Sequence, residues 1–421
     1  MYRVWYSTES FADYIIDHTI LSRLTLTKRK MFESDANNPT RFHTMPDHIR
    51  KILYLDAPDL IVEKDNEPVF SIEVTTEAGT GHNAFQRFAR LAAAVENSVP
   101  AFYIYPEGKI IKRKNLATGL DFYKWDTLNP LVFRSLEAVM SLYSIPALLY
   151  YFPTDDIAAT ADDATKAPHF ADKGLCFDAD IINYSGCPDS SAISMRRMFE
   201  ALDCILNATE SMGVIPARNT LLRTTTIRDQ RNYMQAQFVT KAGTRTEDQM
   251  SPLSAVTKVP TEYLLNYLHQ YETPTYSIGE LLRTRDETAL YQVNADFRGD
   301  PYPGCLAAID YLKCRNGLTY EDRDLNLVMV WGVATIDHEN RTLVITDEKG
   351  SDINDFFSAV QSCSSKNLLV KNYADLDSSE IPRYLMQVRY GSTYSKVKHI
   401  RVFSYFADAI LFPNGSLWRD A

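Results

Sequence analysis

Two acids are set in a pattern that could do chemistry. Asp59 follows Pro58 and opens the apolar run Leu60-Ile61-Val62, and fourteen positions later Glu73 stands in Ser71-Ile72-Glu73-Val74-Thr75-Thr76-Glu77. The break Asp65-Asn66-Glu67-Pro68 between the two runs has the composition of a hairpin turn, which predicts adjacent strands. Alternation sends Ser71, Glu73 and Thr75 to one face and Ile72 and Val74 to the other, the polar set outward and the apolar set into the core. Two carboxylates held close on neighbouring strands repel, and one of them takes up a proton unless a cation intervenes. Mg²⁺ suits that need, because it binds one or two carboxylates and completes its shell with water or phosphate oxygens. The chemistry within reach is activation of water and polarisation of a phosphate.

The elements that must position these acids read as follows. Residues 9 to 24 carry Phe11, Ile15, Ile16, Ile20 and Leu24 at helical spacing, with Ser7 or Thr8 able to cap the start. Strands are predicted over Lys51–Asp56, Asp59–Lys64 and Pro68–Thr76. The loop Ala78-Gly-Thr-Gly-His82 then enters a helix from Asn83 to Asn97, with Phe85, Phe88, Ala92 and Val95 buried. Gln86, Arg87, Arg90 and Glu96 fall on its other side. A buried strand, Ala101–Tyr105, a turn at Pro106–Gly108 and a basic strand, Lys109–Lys114, complete the set.

This order of strand, Pro-Asp, hairpin, Glu-x-polar, helix with Gln and buried strand resembles the PD-(D/E)XK, or restriction-endonuclease-like, nuclease superfamily. The likeness covers about residues 50 to 115, with the helix at 9 to 24 as a further element. It implies metal-dependent cleavage of DNA, with Asp59 and Glu73 as the motif acids. The Val74 carbonyl would be a further metal ligand, and Gln86 a glutamine found on the helix in some members. The residue four beyond Gln86 is Arg90, where those members carry tyrosine. The family's lysine, which orients the attacking water and steadies negative charge, is here Thr75. Arg87, Arg90, Lys109 and His82 are the alternatives for that role, and Glu77 could add to the metal site. His82, Arg87 and Arg90 could equally hold the DNA backbone, since guanidinium suits bidentate phosphate contact.

The fold class expected is α/β, with an N-terminal mixed sheet flanked by helices over residues 1–152. A larger α+β domain for recognition or dimerisation is expected over 176–421. Between them, residues 153–175 are rich in Asp, Ala and Thr and read as a linker or surface loop. The text at 134–151 reads as helix. In the second half, helices are predicted at 190–210, 261–272 and 303–315, and strands at 326–335, 341–346, 367–372, 384–389 and 398–404. The stretch from Arg218 to Arg245 holds Arg223, Arg228 and Arg231 among Thr, Gln and Asn, side chains that suit phosphates and base edges. Lys28-Arg29-Lys30 is a smaller basic cluster. Asp300, Asp310 and Lys313 do not form a second copy of the motif; Leu306, Ile309 and Leu312 have helical spacing instead.

Composition narrows the classes further. A chain of 421 residues with 45% hydrophobic and 23% charged residues is globular and long enough for two domains. Its net charge of −10 excludes nucleic-acid coating by bulk charge, so binding of double-stranded DNA would need a local basic patch or metal ions. Six cysteines without C-x-x-C or zinc spacing read as buried thiols in a reducing cytoplasm. No signal peptide or long apolar span is recognised, and no G-x-S-x-G, Walker A, G-x-G-x-x-G or H-E-x-x-H pattern occurs. The resulting expectation is a Mg²⁺-dependent (or Mn²⁺-dependent) site-specific endonuclease, cytoplasmic, with a second copy of the chain as a partner in a homodimer and no membrane or nucleotide cofactor. Two alternatives stay open: a DNA-binding protein on an inactive nuclease fold, and a hydrolase using Asp59 and Glu73 on another substrate.

Overall fold

A computed structural model of the chain describes residues 1–31, 45–53, 57–75, 81–106, 109–115, 117–126, 130–152, 184, 186–246, 249, 256–270, 282–293, 325–331, 333–346, 409–411, 415 and 417–418. Two compact units result: the first from Met1–Glu33, Pro46–Leu53 and Ala57–Met250, the second chiefly from Ser251–Ala421. The segment 153–175 lies outside the described residues, but the first unit does not end there. It runs on to Met250, because the helices after it pack on the first sheet.

That sheet is mixed and six-stranded, and helices flank it. Its strands are β1 (Tyr2–Tyr6), β2 (Leu26–Lys30), β3 (Leu60–Lys64), β4 (Glu67–Val74), β5 (Ala101–Pro106) and β8 (Ala147–Phe152), in the order β2-β1-β3-β4-β5-β8. β3 runs antiparallel to both β1 and β4, while β4, β5 and β8 are parallel. A separate hairpin, β6 (Lys109–Lys114) with β7 (Asp121–Asp126), follows β5. Among the described residues the helices of this unit are α1 (Glu9–Asp17), α2 (Asp47–Arg50), α3 (Gly81–Glu96), α4 (Leu131–Tyr143), α5 (Ile193–Met212), α6 (Val214–Arg218) and α7 (Thr225–Ala242).

Local chemistry explains most of these elements. Asp65 and Asn66 sit at φ of 52° and 67°, which gives β3 and β4 the two-residue left-handed turn that matches strand twist. The crossover from β4 to β5 is α3, as two neighbouring parallel strands require. Even-numbered residues of the parallel strands make one core layer: Phe70 and Phe102 lie 6.1 Å apart, and Phe102 and Tyr150 stack at 6.2 Å. Each fully buried phenylalanine contributes roughly 1.5–3 kcal/mol. The helices after residue 190 lock onto the sheet through polar ties as well. The Ile20 amide donates to Asp203 Oδ1 at 2.8 Å, Lys64 Nζ donates to Glu210 at 2.7 Å, and the Arg218 guanidinium donates to the Pro68 carbonyl.

Four sequence expectations fail here. The helix expected over residues 9 to 24 ends at Asp17, and Ile20–Arg23 forms a separate 3-10 turn. Residues 51–53 are not strand: α2 and the turn after it bury Ile49, Ile52 and Leu53 on one side, and β1 takes the place beside β3. The helix expected over 134–151 stops at Tyr143, where Ser144 turns left-handed (φ 57°) and its amide caps Met140 at 2.8 Å. Pro146 then forbids further helix, and Ala147–Phe152 becomes a wholly buried strand. Finally, the polar face of β4 does not look outward, because Ser71, Glu73 and Thr75 are all buried.

The second unit has a five-stranded sheet ordered β15-β14-β11-β10-β9. Its strands are β9 (Val256–Pro260), β10 (Glu287–Val293), β11 (Leu325–Trp331), β14 (Ala409–Leu411) and β15 (Leu417–Trp418). A hairpin of β12 (Val333–Asp337) and β13 (Thr342–Thr346) follows β11, and α8 (Thr261–Leu268) follows β9. Val259, Leu264, Tyr267, Leu290, Val328 and Leu343 belong to its core. The elements expected at 303–315, 367–372, 384–389 and 398–404 lie outside the described residues.

Candidate active site

The β3–β4 ladder pairs Leu60 with Ile72 and Ile61 with Ser71. Carried one residue past the strand end, the same register sets Asp59 opposite Glu73, on the face that Ser71 shares. Asp59 is pinned from both sides. Its carbonyl accepts the Ser7 amide at 2.8 Å, and its Oδ2 accepts the Val74 amide at 2.9 Å. The acid therefore closes the end of the hairpin, with its carboxylate held at the strand position next to Glu73.

Glu73 is 1% exposed, and the cation that meets it comes from α3: Arg90 Nη1 donates to Glu73 Oε1. Arg90 itself is only 9% exposed. Burial opposes its charge, but the Glu73 carboxylate, with Asp59 and Tyr103 behind it, outweighs burial and holds the guanidinium pKa above its ordinary value. Asp59, Glu73 and Arg90 thus form one electrostatic cluster. Tyr103 is its fourth member, paired in register with Glu73 on β5 and stacked edge-on with Tyr105 at 5.4 Å. Thr75 is also buried here, its amide bound to the Ile104 carbonyl at 3.0 Å.

The expected site residues separate into groups. Asp59, Glu73, Val74, Thr75 and Arg90 come together at one end of β4. Arg90 is not on the solvent side of its helix, where it could hold DNA; the buried arc of α3 is wider than the expected stripe and takes in Leu91, Ala93 and Ala94 as well. Gln86, Arg87 and His82 lie on α3, where the described geometry is that of the backbone. Glu77 is outside the described residues. Arg223 and Arg228 are exposed at and after the 3-10 turn that precedes α7. Arg231 reaches back to α4 and pairs with Glu137. A polar cavity of about 350 Å³ lies between α4 and α7, lined by Glu137, Arg228, Asp229, Arg231, Asn232 and Gln235.

A second buried acid escaped the sequence reading. Glu63 is 2% exposed and accepts from Arg3 Nη1 and shares a hydrogen bond with His48 Nε2, each at 2.5 Å. Cross-strand pairing of Arg3 with Glu63 could have announced it, had Tyr2–Tyr6 been read as a strand.

The donor set can be tested against a divalent ion. Among the described residues no three His, Cys, Asp or Glu side chains gather to hold a metal. Asp59 and Glu73 share a strand face and both act on the Arg90 charge, and Mg²⁺ asks the protein for no more than one or two carboxylates. Asp59 and Glu73 would hold it. No family model, curated protein or solved structure matches the chain. Among the described residues no helix is long and apolar enough to cross a membrane.

Proposed function

We propose that the first unit is a restriction-endonuclease-like nuclease core that hydrolyses phosphodiester bonds of double-stranded DNA with Mg²⁺, or Mn²⁺ in its place. The carrying observation is the shared face of Asp59 and Glu73 at the mouth of an antiparallel hairpin that feeds, through α3, a parallel buried strand. Asp59 is preorganised by the Ser7 and Val74 amides, so its carboxylate needs little rearrangement to act as a ligand. Glu73 stands opposite it on β4, on the same face, and meets Arg90 there. Bound there, a divalent ion would lower the pKa of the attacking water and polarise the phosphate. Arg90 stands where a cation is wanted, and it replaces in charge what Thr75 cannot supply. The exposed Arg223 and Arg228 suit the backbone of the duplex, and the second unit is assigned to target recognition and dimer formation.

Plasmid cleavage tests this reading. The wild-type chain with Mg²⁺ or Mn²⁺ is expected to nick or linearise DNA, and Asp59→Ala to lose at least a hundredfold in rate. Equal cleavage by both, or activity independent of divalent ions, sinks it. A second reading is favoured by one specific observation: Thr75 is buried where the motif lysine belongs, and Arg90 is joined to Glu73. On that reading the fold binds DNA without cutting it, and the wild type would retain DNA in a shift assay while leaving the plasmid intact.

A further inference from the structure

We infer that Arg29 is a positioning residue for the same site: its guanidinium holds the phosphodiester backbone of the duplex, and of the basic run Lys28-Arg29-Lys30 it alone serves the face that carries Asp59 and Glu73. The inference rests on the nuclease reading and adds to it where on the sheet the substrate is held. β2, which carries the run, is the edge strand of the first sheet among the described residues, and all three residues are exposed. Alternation deals them to opposite faces. Arg29 pairs with Trp5 on β1, Trp5 with Ile61 on β3, and Ile61 with Ser71 on β4. Ser71 shares its face with Glu73, and Ile61 with Asp59, so Arg29 stands on the face of the acids. Its guanidinium lies over the Trp5 ring, 5.9 Å from the centroid. Lys28 and Lys30 pair with Val4 and Tyr6 and fall on the other face. There Lys28 Nζ meets Asp13 at 2.7 Å and Glu9 at 2.9 Å, both on α1, and its charge is spent on the fold.

The spacing suits an extended anion. β2 and β3 are two strand spacings apart, and Ile61 stands two residues along from Asp59, which puts the Arg29 backbone roughly 12 Å from that of Asp59. One strand of a duplex carries a phosphate per about 3.4 Å of axis, so a backbone with one phosphate at the acids brings another to Arg29 within about three steps. The acid nearer to β2 is also the more open one, since Asp59 is half-buried and Glu73 buried. The duplex on this account reaches the site from the β2 side. Arginine fits the task, because its planar fork takes two oxygens of one phosphate and its face stacks on an aromatic ring. With a net charge of −10 the chain attracts DNA only through such local cations.

The test reads binding apart from turnover. Affinity of the full chain for a mixed-sequence DNA duplex is measured against salt concentration, in chelator and, on an Asp59→Ala background, with Mg²⁺. The variants are Arg29→Ala, Arg29→Gln, Arg29→Lys and Lys28→Ala. Arg29→Ala should bind about tenfold more weakly at low salt and lower the salt slope by about one. Arg29→Gln, which keeps a stem over the indole, should do the same, and it decides alone should Arg29→Ala misfold. Arg29→Lys should keep the slope and recover part of the affinity. Lys28→Ala should leave slope and affinity unchanged while lowering the unfolding midpoint. In plasmid cleavage, Arg29→Ala should slow the reaction at limiting DNA and match the wild type at saturating DNA, since ground-state binding alone is lost. A wild-type slope in Arg29→Ala and Arg29→Gln, or an equal drop in Lys28→Ala, overturns the inference; with wild-type cleavage intact, the nuclease reading stands. A lowered slope without cleavage by the wild type keeps Arg29 as a backbone contact and removes the nuclease reading. A wild type that neither binds nor cuts DNA removes both.

Discussion

The two units arrange strands alike and furnish them differently. Each sets an antiparallel pair beside parallel strands: β3/β4 with β5 and β8 in the first, β9/β10 with β11 and β14 in the second. Each also places a two-stranded hairpin after the first parallel crossover. The first sheet carries a buried charged pair, Glu73 and Arg90. The second carries a buried neutral network, in which Asn326 Nδ2 donates to the Leu282 carbonyl at 2.8 Å, to Thr288 Oγ1 at 3.0 Å and to Thr261 Oγ1 at 3.2 Å. The strand text agrees: β10 has an acid only at its first residue, Glu287, and none stands among residues 251–255 before β9. A neutral network ties α8, β10 and β11 at modest desolvation cost. A buried ion pair costs much more to desolvate and is seldom retained for stability alone. Among the described residues, then, the buried charges lie in the first unit, and the buried polar network of the second is neutral.

The largest effect expected in breaking that contrast comes from Glu73→Ala. It leaves the Arg90 charge buried beside Asp59 without its main partner, and should cost about 3–5 kcal/mol of unfolding free energy in urea titration. Glu73→Leu with Arg90→Met removes both charges and should return most of that loss, while abolishing Mn²⁺ binding. A double variant as unstable as the single one would mean that the pair is a keystone of the fold, and the contrast with the second sheet would lose its functional meaning. Next in size is Asn326→Ala, which takes a donor from the Leu282 carbonyl and from the Thr261 and Thr288 hydroxyls, leaving the two hydroxyls bonded to each other at 2.9 Å. About 1–3 kcal/mol is expected there, unchanged by Mn²⁺.

The contrast was only partly legible in the sequence. The hairpin was, because Asp65-Asn66 tolerate left-handed backbone and apolar runs flank them. α3 was too, although the side assigned to Arg90 was wrong. Helical periodicity ranks a charged residue as solvent-facing unless a buried acid elsewhere calls for it, and that acid is seventeen residues away on a strand. β8 was hidden because a short apolar run has no period of its own, so Ala147–Phe152 merged with the helix before it. α7 was hidden for the opposite reason. It is polar nearly all round, burying only Ile227, Gln230, Met234, Phe238 and Ala242, and its text looked like surface. In the second sheet Asn326 gave no sign, since an asparagine that satisfies three acceptors in a core reads like any other.

A smaller effect separates recognition from stability within the first unit. Arg228 is exposed, whereas Arg231 is joined to Glu137. Arg228→Ala should leave the unfolding midpoint in place and lower the salt slope of DNA binding by about one. Arg231→Ala should lower stability as well, because it leaves Glu137 without that partner. Equal behaviour of the two variants would put both arginines on the same footing and remove Arg228 from the proposed DNA surface.

The smallest expected effect sharpens the comparison by supplying a charged pair that does only structural work. Glu210 on α5 accepts from Tyr2 Oη and from Lys64 Nζ, each at 2.7 Å, and so fastens α5 to β1 and β3. Hydrogen bonds first from Lys64 and then from Tyr2 hold its pKa below the ordinary carboxylate value. A lowered carboxylate pKa stabilises the fold above the unfolded-state value, and that share fades as pH falls through the folded-state value. The group lies largely in water, so the share is about a few tenths of a kcal/mol. Glu210→Gln should therefore flatten the acid limb of the stability curve slightly, leave neutral-pH stability almost unmoved, and leave Mn²⁺ binding untouched. If Glu210→Gln altered Mn²⁺ affinity as strongly as Glu73→Leu with Arg90→Met, the special standing of the Glu73 pair would dissolve, since any charge change on this unit would then act at the site through long-range potential alone.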